Sequence, residues 1–96
     1  MIVLICYDVA HDDDTGKRRL RRIARLCESH GARVQYSLFQ CDIPEPTWVV
    51  FRDSLLSQAD LDKDSLRFYF IDERAAARTE HHGVRAPLDL KGPLIV

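Results

Sequence analysis

The most restrictive feature of the sequence is an uninterrupted apolar run over residues 2–7 (IVLICY), which ends at the carboxylate of Asp8. The run has the length of a strand and no alternating polar positions, a pattern typical of a strand buried on both faces. It is too short to span a membrane and has no basic region before it, so we expect no signal peptide and no membrane partner. The fold must therefore cover both sides of this strand.

The size and composition of the chain limit how it does so. Its 96 residues predict a single domain, 1–96, near the lower end of what folds alone. Three widely spaced cysteines, Cys6, Cys27 and Cys41, lie within apolar patterns and lack a zinc-binding spacing. We therefore expect reduced core thiols and a cytoplasmic protein.

The formal net charge of −1 does not by itself indicate a nucleic-acid partner, but the distribution of charge does. Residues 15–36 carry seven Lys or Arg against one acid, Glu28. Within this stretch an i, i+3, i+4, i+7 stripe of apolar side chains predicts an amphipathic helix with a core-facing side. The stripe consists of Leu20, Ile23, Ala24 and Cys27, and the opposite side carries Arg18, Arg21, Arg22 and Arg25. Such a face is either solvated or, as we favour, in contact with a phosphate backbone.

The ends of this helix and the elements after it follow from local signals. Asp14 or Thr15 is expected to cap the helix, which should end near His30, before Gly31. Residues 33–42 predict a strand, with a break near Tyr36 and Ser37. A second helix is expected over about residues 46–58, with Trp48, Phe51 and Leu55 on one side. Residues 66–71 predict another strand, residues 72–93 a loop, and residues 94–96 a short final strand.

The resulting βαββαβ order predicts an α+β, ferredoxin-like sandwich, with an antiparallel sheet and two helices on one face. Two helices cover only one face of the sheet, whereas residues 2–7 have no polar face. A second copy of the chain is the simplest cover, so we expect a homodimer formed through the sheets. Residues 72–96 then form a C-terminal arm whose last strand is a candidate for pairing with the partner subunit.

Asp8 is the main candidate for chemistry. A carboxylate at a strand end beside a basic helix suggests Mg²⁺, or another divalent cation such as Mn²⁺, held next to phosphates. The alternative is a structural carboxylate that caps the helix or pairs with an arginine. One carboxylate is too few for a metal site. The interpretation of Asp8 as a metal ligand therefore needs two copies of Asp8 across a dimer axis. The acids 12–14 are candidate further ligands, although such a run is more often a solvated loop before a helix.

Five segments carry a resemblance to a known family. In chain order they are VLICYDVAHDD, GKRRLRRIARLCESHG, RVQYSLFQC, DSLRFYFI and EHHGVRAPLDLKGPLIV, and they cover nearly the whole chain. The most specific features are YD, the arginine-rich helix after it, and RVQYSLF. Together these segments resemble the Cas-two (Cas2) family of CRISPR-associated proteins. The resemblance implies a ferredoxin-like dimer, in agreement with the pattern of strands and helices.

The resemblance also implies a role in CRISPR adaptation, the acquisition of spacers. There the family's dimer lies between dimers of the Cas-one (Cas1) integrase and supports double-stranded DNA. Members are also described as magnesium-dependent endonucleases of single-stranded RNA or double-stranded DNA. The family's metal-binding aspartate corresponds to Asp8, one from each subunit, and its catalytic neighbour to Tyr7. The nucleic-acid-binding positions correspond to Arg18, Arg19, Arg22, Arg33 and Phe39, to which the basic helix face adds Arg25.

The residues by themselves qualify two of these assignments, because Tyr7 and Phe39 fit a protein core better than a base-stacking surface. Taken with Asp8 and the basic helix, the resemblance implies a metal-dependent endonuclease that hydrolyses phosphodiester bonds of RNA or DNA. The principal alternative is a non-catalytic, double-stranded-DNA-binding scaffold of the Cas1 integrase complex. A small toxin-type ribonuclease of similar fold is the weakest of the three.

Overall fold

A computed structural model describes residues 1–84, and the structural statements below refer to this range. The predicted final strand at 94–96 and the end of the C-terminal arm lie outside it. In chain order, the elements are β1 (Ile2–Asp8), α1 (Asp14–Glu28), β2 (Ala32–Gln35), β3 (Leu38–Asp42), α2 (Glu45–Gln58), β4 (Ser65–Ile71) and α3 (Glu73–Ala77). Within the described range, no helix has both the length and the apolar character to cross a membrane.

The four strands form one sheet in the order β2-β3-β1-β4, and every neighbouring pair is antiparallel. This order fits the predicted ferredoxin-like fold. The strand predicted over 33–42 is indeed divided, since β2 and β3 form a hairpin that turns at residues 36 and 37. The apolar β1 occupies a central position, with β3 on one side and β4 on the other, which explains its composition.

Strand β1 has one fully covered face. Val3, Ile5 and Tyr7 are buried in the cluster that the sheet forms with α1 and α2. The alternate residues Leu4 and Cys6 are only half-buried, because the two helices lie on the other side. A single chain thus leaves one sheet face partly uncovered, as predicted. We call this the open face; by strand register it includes Leu4, Cys6, Asp8, Leu38, Gln40, Arg67 and Tyr69.

Both long helices bury the apolar stripes that the sequence predicts. Ile23 and Cys27 of α1, like Phe51 and Leu55 of α2, are at most 1% exposed. Trp48 completes the core and makes edge-to-face contacts with three other aromatic rings, those of Phe51, Phe68 and Phe70. Burial raises the pKa of the Cys27 thiol to about 12 and that of Cys41 to about 11, so both are uncharged core groups as expected.

Both ends of α1 differ slightly from the prediction, and a closely packed glycine lies near each end. Asp13, rather than Asp14 or Thr15, caps the helix, and its Oδ1 accepts a hydrogen bond of 2.7 Å from Gly16 N–H. A Cβ on Gly16 would lie 2.1 Å from the Ala10 carbonyl oxygen, so only glycine allows the first turn to pack this closely. At the other end α1 stops at Glu28, and Gly31 serves the close approach to Gln40 and Cys41 of β3.

The segment predicted as a loop from residue 72 onward contains the short helix α3. Asp72 caps this helix by accepting a 2.7 Å hydrogen bond from Ala75 N–H. Three consecutive alanines, at positions 75–77, have the highest intrinsic helix propensity. The loop prediction was wrong here, because an element of five residues is too short to show helical periodicity.

Candidate functional site

Asp8 is the last residue of β1 and lies opposite Ser65, the first residue of β4. Its side chain is exposed. Because successive strand residues alternate between faces, Asp8 follows Leu4 and Cys6 on the open face. The carboxylate therefore lies at the rim of the one surface that a second copy of the chain is expected to cover.

The described part of a single chain does not bring together a set of metal ligands. Within residues 1–84, no group of three or more His, Cys, Asp or Glu side chains is arranged to hold a metal ion. Within the acidic run 12–14, Asp13 caps the helix. Its carboxylate accepts a hydrogen bond from Gly16 N–H, and this bond lowers the pKa of the Asp13 carboxyl. The expectation that two copies of Asp8 share a metal thus stays a prediction about the dimer.

Tyr7 is placed away from Asp8 despite being adjacent in sequence. Its side chain is 5% exposed on the helix-covered face, and its hydroxyl donates to the Tyr36 carbonyl at 3.4 Å. Burial raises the pKa of the Tyr7 phenol, so the group is protonated and uncharged at neutral pH. Tyr7 is a core residue in this structure, and the structure does not bring it into one constellation with the Asp8 carboxylate.

Phe39 lies in the core, a placement that does not favour the nucleic-acid-binding role implied by the resemblance. Its side chain is fully buried, its ring stacks on Tyr7 with centroids 6.2 Å apart, and the Arg33 guanidinium covers it at 4.9 Å. Arg33 also donates to Glu28 at 3.1 Å and to the Tyr36 carbonyl at 2.7 Å. Arg33 remains partly exposed and is available to a phosphate only in competition with these partners.

Four arginines of α1 retain the placement that the sequence predicts. Arg18, Arg21, Arg22 and Arg25 are all exposed, and none of them forms an ion pair within residues 1–84. Arg22 and Arg25 lie along a shallow groove between α1 and α2, which is also lined by Leu26, Ser29, Ser54 and Gln58. Unpaired cations beside polar groups favour an anionic ligand such as a phosphate backbone. No local sequence pattern indicates the α2 side of this groove, formed by Ser54 and Gln58.

Arg19 differs from its neighbours because its guanidinium is engaged inside the molecule, so its expected role in nucleic-acid binding stays a prediction that its placement does not favour. Its Nε and Nη2 atoms donate to the two carboxylate oxygens of Asp64 at 2.9 and 3.2 Å. The Arg19 side chain is only 12% exposed and that of Asp64 is fully buried. Its guanidinium therefore belongs to an internal ion pair. No local pattern indicates this partner, because Asp64 lies 45 residues further along the chain.

Comparison with known proteins agrees with this fold and these segments. The family model for CRISPR associated protein Cas2 matches residues 1–79. A CRISPR-associated endoribonuclease Cas2 from Chlorobaculum tepidum is 47% identical over 96 residues, which cover 100% of both chains. A CRISPR-associated endonuclease Cas2 from Halalkalibacterium halodurans is 39% identical over 95 residues, 99% of each chain.

A solved structure of a similar protein has the same fold. The crystal structure of Streptococcus pyogenes Cas2 at pH 6.5 superposes with a TM-score of 0.77 and 37% sequence identity, covering 86% of this chain and 100% of that one. The predicted fold and the family resemblance are thereby confirmed. With a family model that matches residues 1–79 and relatives that are similar over their full length, the chain belongs to the Cas2 family of CRISPR-associated proteins.

Proposed function

We propose that this protein is a metal-dependent endonuclease of the CRISPR system that hydrolyses phosphodiester bonds of RNA or DNA. The main support for this proposal is the exposed carboxylate of Asp8. It lies at the rim of the open face, six residues before a helix whose exposed arginines are unpaired within residues 1–84. The names of two relatives, an endoribonuclease and an endonuclease, support the same reaction class.

The proposed site needs a second copy of the chain. The half-buried apolar side chains of the open face, Leu4, Cys6 and Leu38, favour a homodimer in which a second sheet covers them. A twofold axis passing near the rim of this face then brings together two Asp8 carboxylates.

Two carboxylates fit the donor chemistry of a hard cation. Magnesium is commonly held by one or two carboxylates, while waters and substrate phosphates fill the remaining positions. In this proposal the paired Asp8 side chains hold Mg²⁺ or Mn²⁺, and the bound ion supplies Lewis-acid polarisation of the phosphate. Arg18, Arg22 and Arg25 neutralise neighbouring phosphates and hold the backbone in register along α1.

A second candidate is a non-catalytic scaffold that binds double-stranded DNA between Cas1 integrase dimers. It is favoured by one observation, namely that the exposed arginines of α1, unpaired within residues 1–84, suit contact with a DNA backbone whether or not Asp8 holds a metal. In that case the basic face of α1 has the same role, whereas Asp8 contributes only to the interface between subunits.

Cleavage assays on single-stranded RNA and double-stranded DNA separate the two candidates. For the endonuclease we expect cleavage that requires Mg²⁺ or Mn²⁺ and that falls at least about a hundred-fold in Asp8→Asn, since several kcal/mol of charge stabilisation is lost. Nucleic-acid affinity should stay within about two-fold. The matched control is Asp62→Asn, which removes another exposed carboxylate, one that lies outside β1. If Asp8→Asn cleaves as fast as Asp62→Asn, the catalytic assignment is wrong and the scaffold is favoured.

A further inference from the structure

The buried carboxylate of Asp64 is the centre of a hydrogen-bond network that joins three segments of the chain. Besides the two bonds from Arg19, Oδ1 accepts from Ala10 N–H at 3.1 Å and Oδ2 accepts from Asp60 N–H at 2.8 Å. Arg19 Nη2 also donates to the Ala10 carbonyl at 3.3 Å. Both backbone groups of Ala10 are therefore held by this one ion pair.

The network encloses the strand end that carries Asp8. Ala10 lies two residues after Asp8, and Asp64 directly precedes Ser65, which is the register partner of Asp8 in β4. Val9, between Asp8 and Ala10, is 3% exposed and belongs to the core. The backbone on both sides of the Asp8–Ser65 pair is thus tied to a single carboxylate.

Helix α1 closes the same region from the other side. A Cβ on Gly16 would lie 2.1 Å from the Ala10 oxygen and 2.9 Å from the Cα of His11. The first turn of α1 is therefore packed directly against the loop that follows Asp8. Such close packing transmits the position of one segment to the next.

We propose that Arg19 and Asp64 are positioning residues, which fix the backbone at Asp8 so that its carboxylate meets the metal and the second carboxylate in the dimer. This inference rests on the proposed endonuclease function and assigns Arg19 a role other than binding nucleic acid. Precise placement of a ligand matters because a displacement of about 1 Å can cost a hundred-fold in rate.

Asp64→Asn tests the inference. Asparagine has a similar shape, but its NH₂ group is a hydrogen-bond donor. In place of one carboxylate oxygen it faces the N–H donors of Ala10, Asp60 or Arg19, so at least one of these hydrogen bonds is lost. We expect the cleavage rate to fall about ten- to a hundred-fold and the half-maximal Mg²⁺ concentration to rise. Nucleic-acid affinity and its salt dependence should not change. Asp62→Asn, in the same turn with an exposed side chain, is the control and should match the wild type.

A second pair of variants separates positioning from nucleic-acid contact. Arg19→Lys keeps the charge but loses the fork of donors, and Arg52→Lys makes the same change at an exposed site of α2. Positioning predicts slower cleavage only for Arg19→Lys, with unchanged affinity. A weaker affinity with a smaller salt slope in Arg19→Lys, or an Asp64→Asn rate equal to that of Asp62→Asn, overturns the inference.

Amide hydrogen exchange supplies a readout that does not depend on cleavage. In the folded protein, the Ala10 amide should exchange faster in Asp64→Asn than in wild type or Asp62→Asn, while core amides of β1 keep their protection. If the wild-type protein cleaves no substrate while this local effect on exchange is present, the proposed function fails. In that case the clamp that Arg19 and Asp64 form on the Ala10 backbone is still confirmed. If the Ala10 amide is unaffected, the clamp itself is disproved.

Discussion

Tyr7 and Asp8 are neighbours in β1, yet the strand turns their side chains to opposite faces of the sheet. Tyr7 packs on Phe39 in the core, whereas Asp8 is exposed on the open face. The same alternation separates Phe39 from the surface to which the resemblance assigned it. At the scale of single residues, the side of the sheet determines which groups are able to touch a ligand.

Replacing Phe39 by leucine tests this placement. For a core residue, we expect Phe39→Leu to lower the free energy of unfolding by about 1 kcal/mol in urea titrations and to leave nucleic-acid affinity within about two-fold. A base-stacking ring contributes about 1–3 kcal/mol per base, so its loss would weaken binding at least five-fold. Val49→Ala is the control on α2, since Val49 is 59% exposed and its truncation should change stability by less than about 0.5 kcal/mol.

Helix α1 combines two functions on its two sides. Its apolar stripe, with Ile23 and Cys27, anchors the helix on the sheet. On the outer side Arg18, Arg22 and Arg25 follow one another at i, i+4 and i+7, which at 1.5 Å per residue is a row about 10 Å long. Nothing within the described part of the chain neutralises these three charges, so the element as a whole is suited to a polyanion.

The salt dependence of binding tests this row of cations. The double variant Arg22→Gln/Arg25→Gln should weaken binding to double-stranded DNA of any sequence. It should also reduce the slope of log K against log[salt] by about 1.8, because each phosphate contact contributes about 0.9. Arg52→Gln/Arg74→Gln removes the same charge from other exposed sites and should change the slope by less than half as much. An unchanged slope in the first variant would exclude Arg22 and Arg25 from the interface.

At the scale of the whole molecule, the sheet has unequal faces. The helices bury one face, while the other presents apolar side chains next to Arg67 and Tyr69, which are joined by a 3.0 Å hydrogen bond. A central strand as apolar as β1 is costly to leave half-exposed in water. The proposed homodimer removes this cost and creates the paired Asp8 site, so association and chemistry are coupled.

A charge placed on the open face tests this coupling. Leu4→Glu puts like charges against each other in a twofold interface, and we expect a monomer by sedimentation together with loss of metal-dependent cleavage. Val50→Glu, on the outer side of α2 where Val50 is 68% exposed, should remain dimeric and active. A dimeric Leu4→Glu variant would show that the subunits associate through another surface.

Much of this architecture is contained in the sequence because burial leaves a periodic record. The apolar run 2–7 predicts a buried strand, which the structure places at the centre of the sheet. The stripes of α1 and α2 identify the helix faces that the structure buries. The divided strand after α1 and the exposed arginines follow from the same kind of local signal. The predicted ends of α1 were less accurate, because the close backbone approach at Gly16 has no periodic signal in the sequence. Helix α3 was not predicted, because a single helical turn is too short to show periodicity.

The sequence by itself thus determined the fold class, the exposed acid at the end of β1 and the basic side of α1. Only the tertiary structure decided which of several similar residues are internal. Arg19 and Arg22 have similar sequence surroundings on one helix, and so do Asp62 and Asp64 in one turn. Only Arg19 and Asp64 are internal, where they form a buried ion pair with each other. The physical reason is that this contact spans 45 residues and forms only when the fold brings α1 next to the turn before β4, which local patterns do not encode.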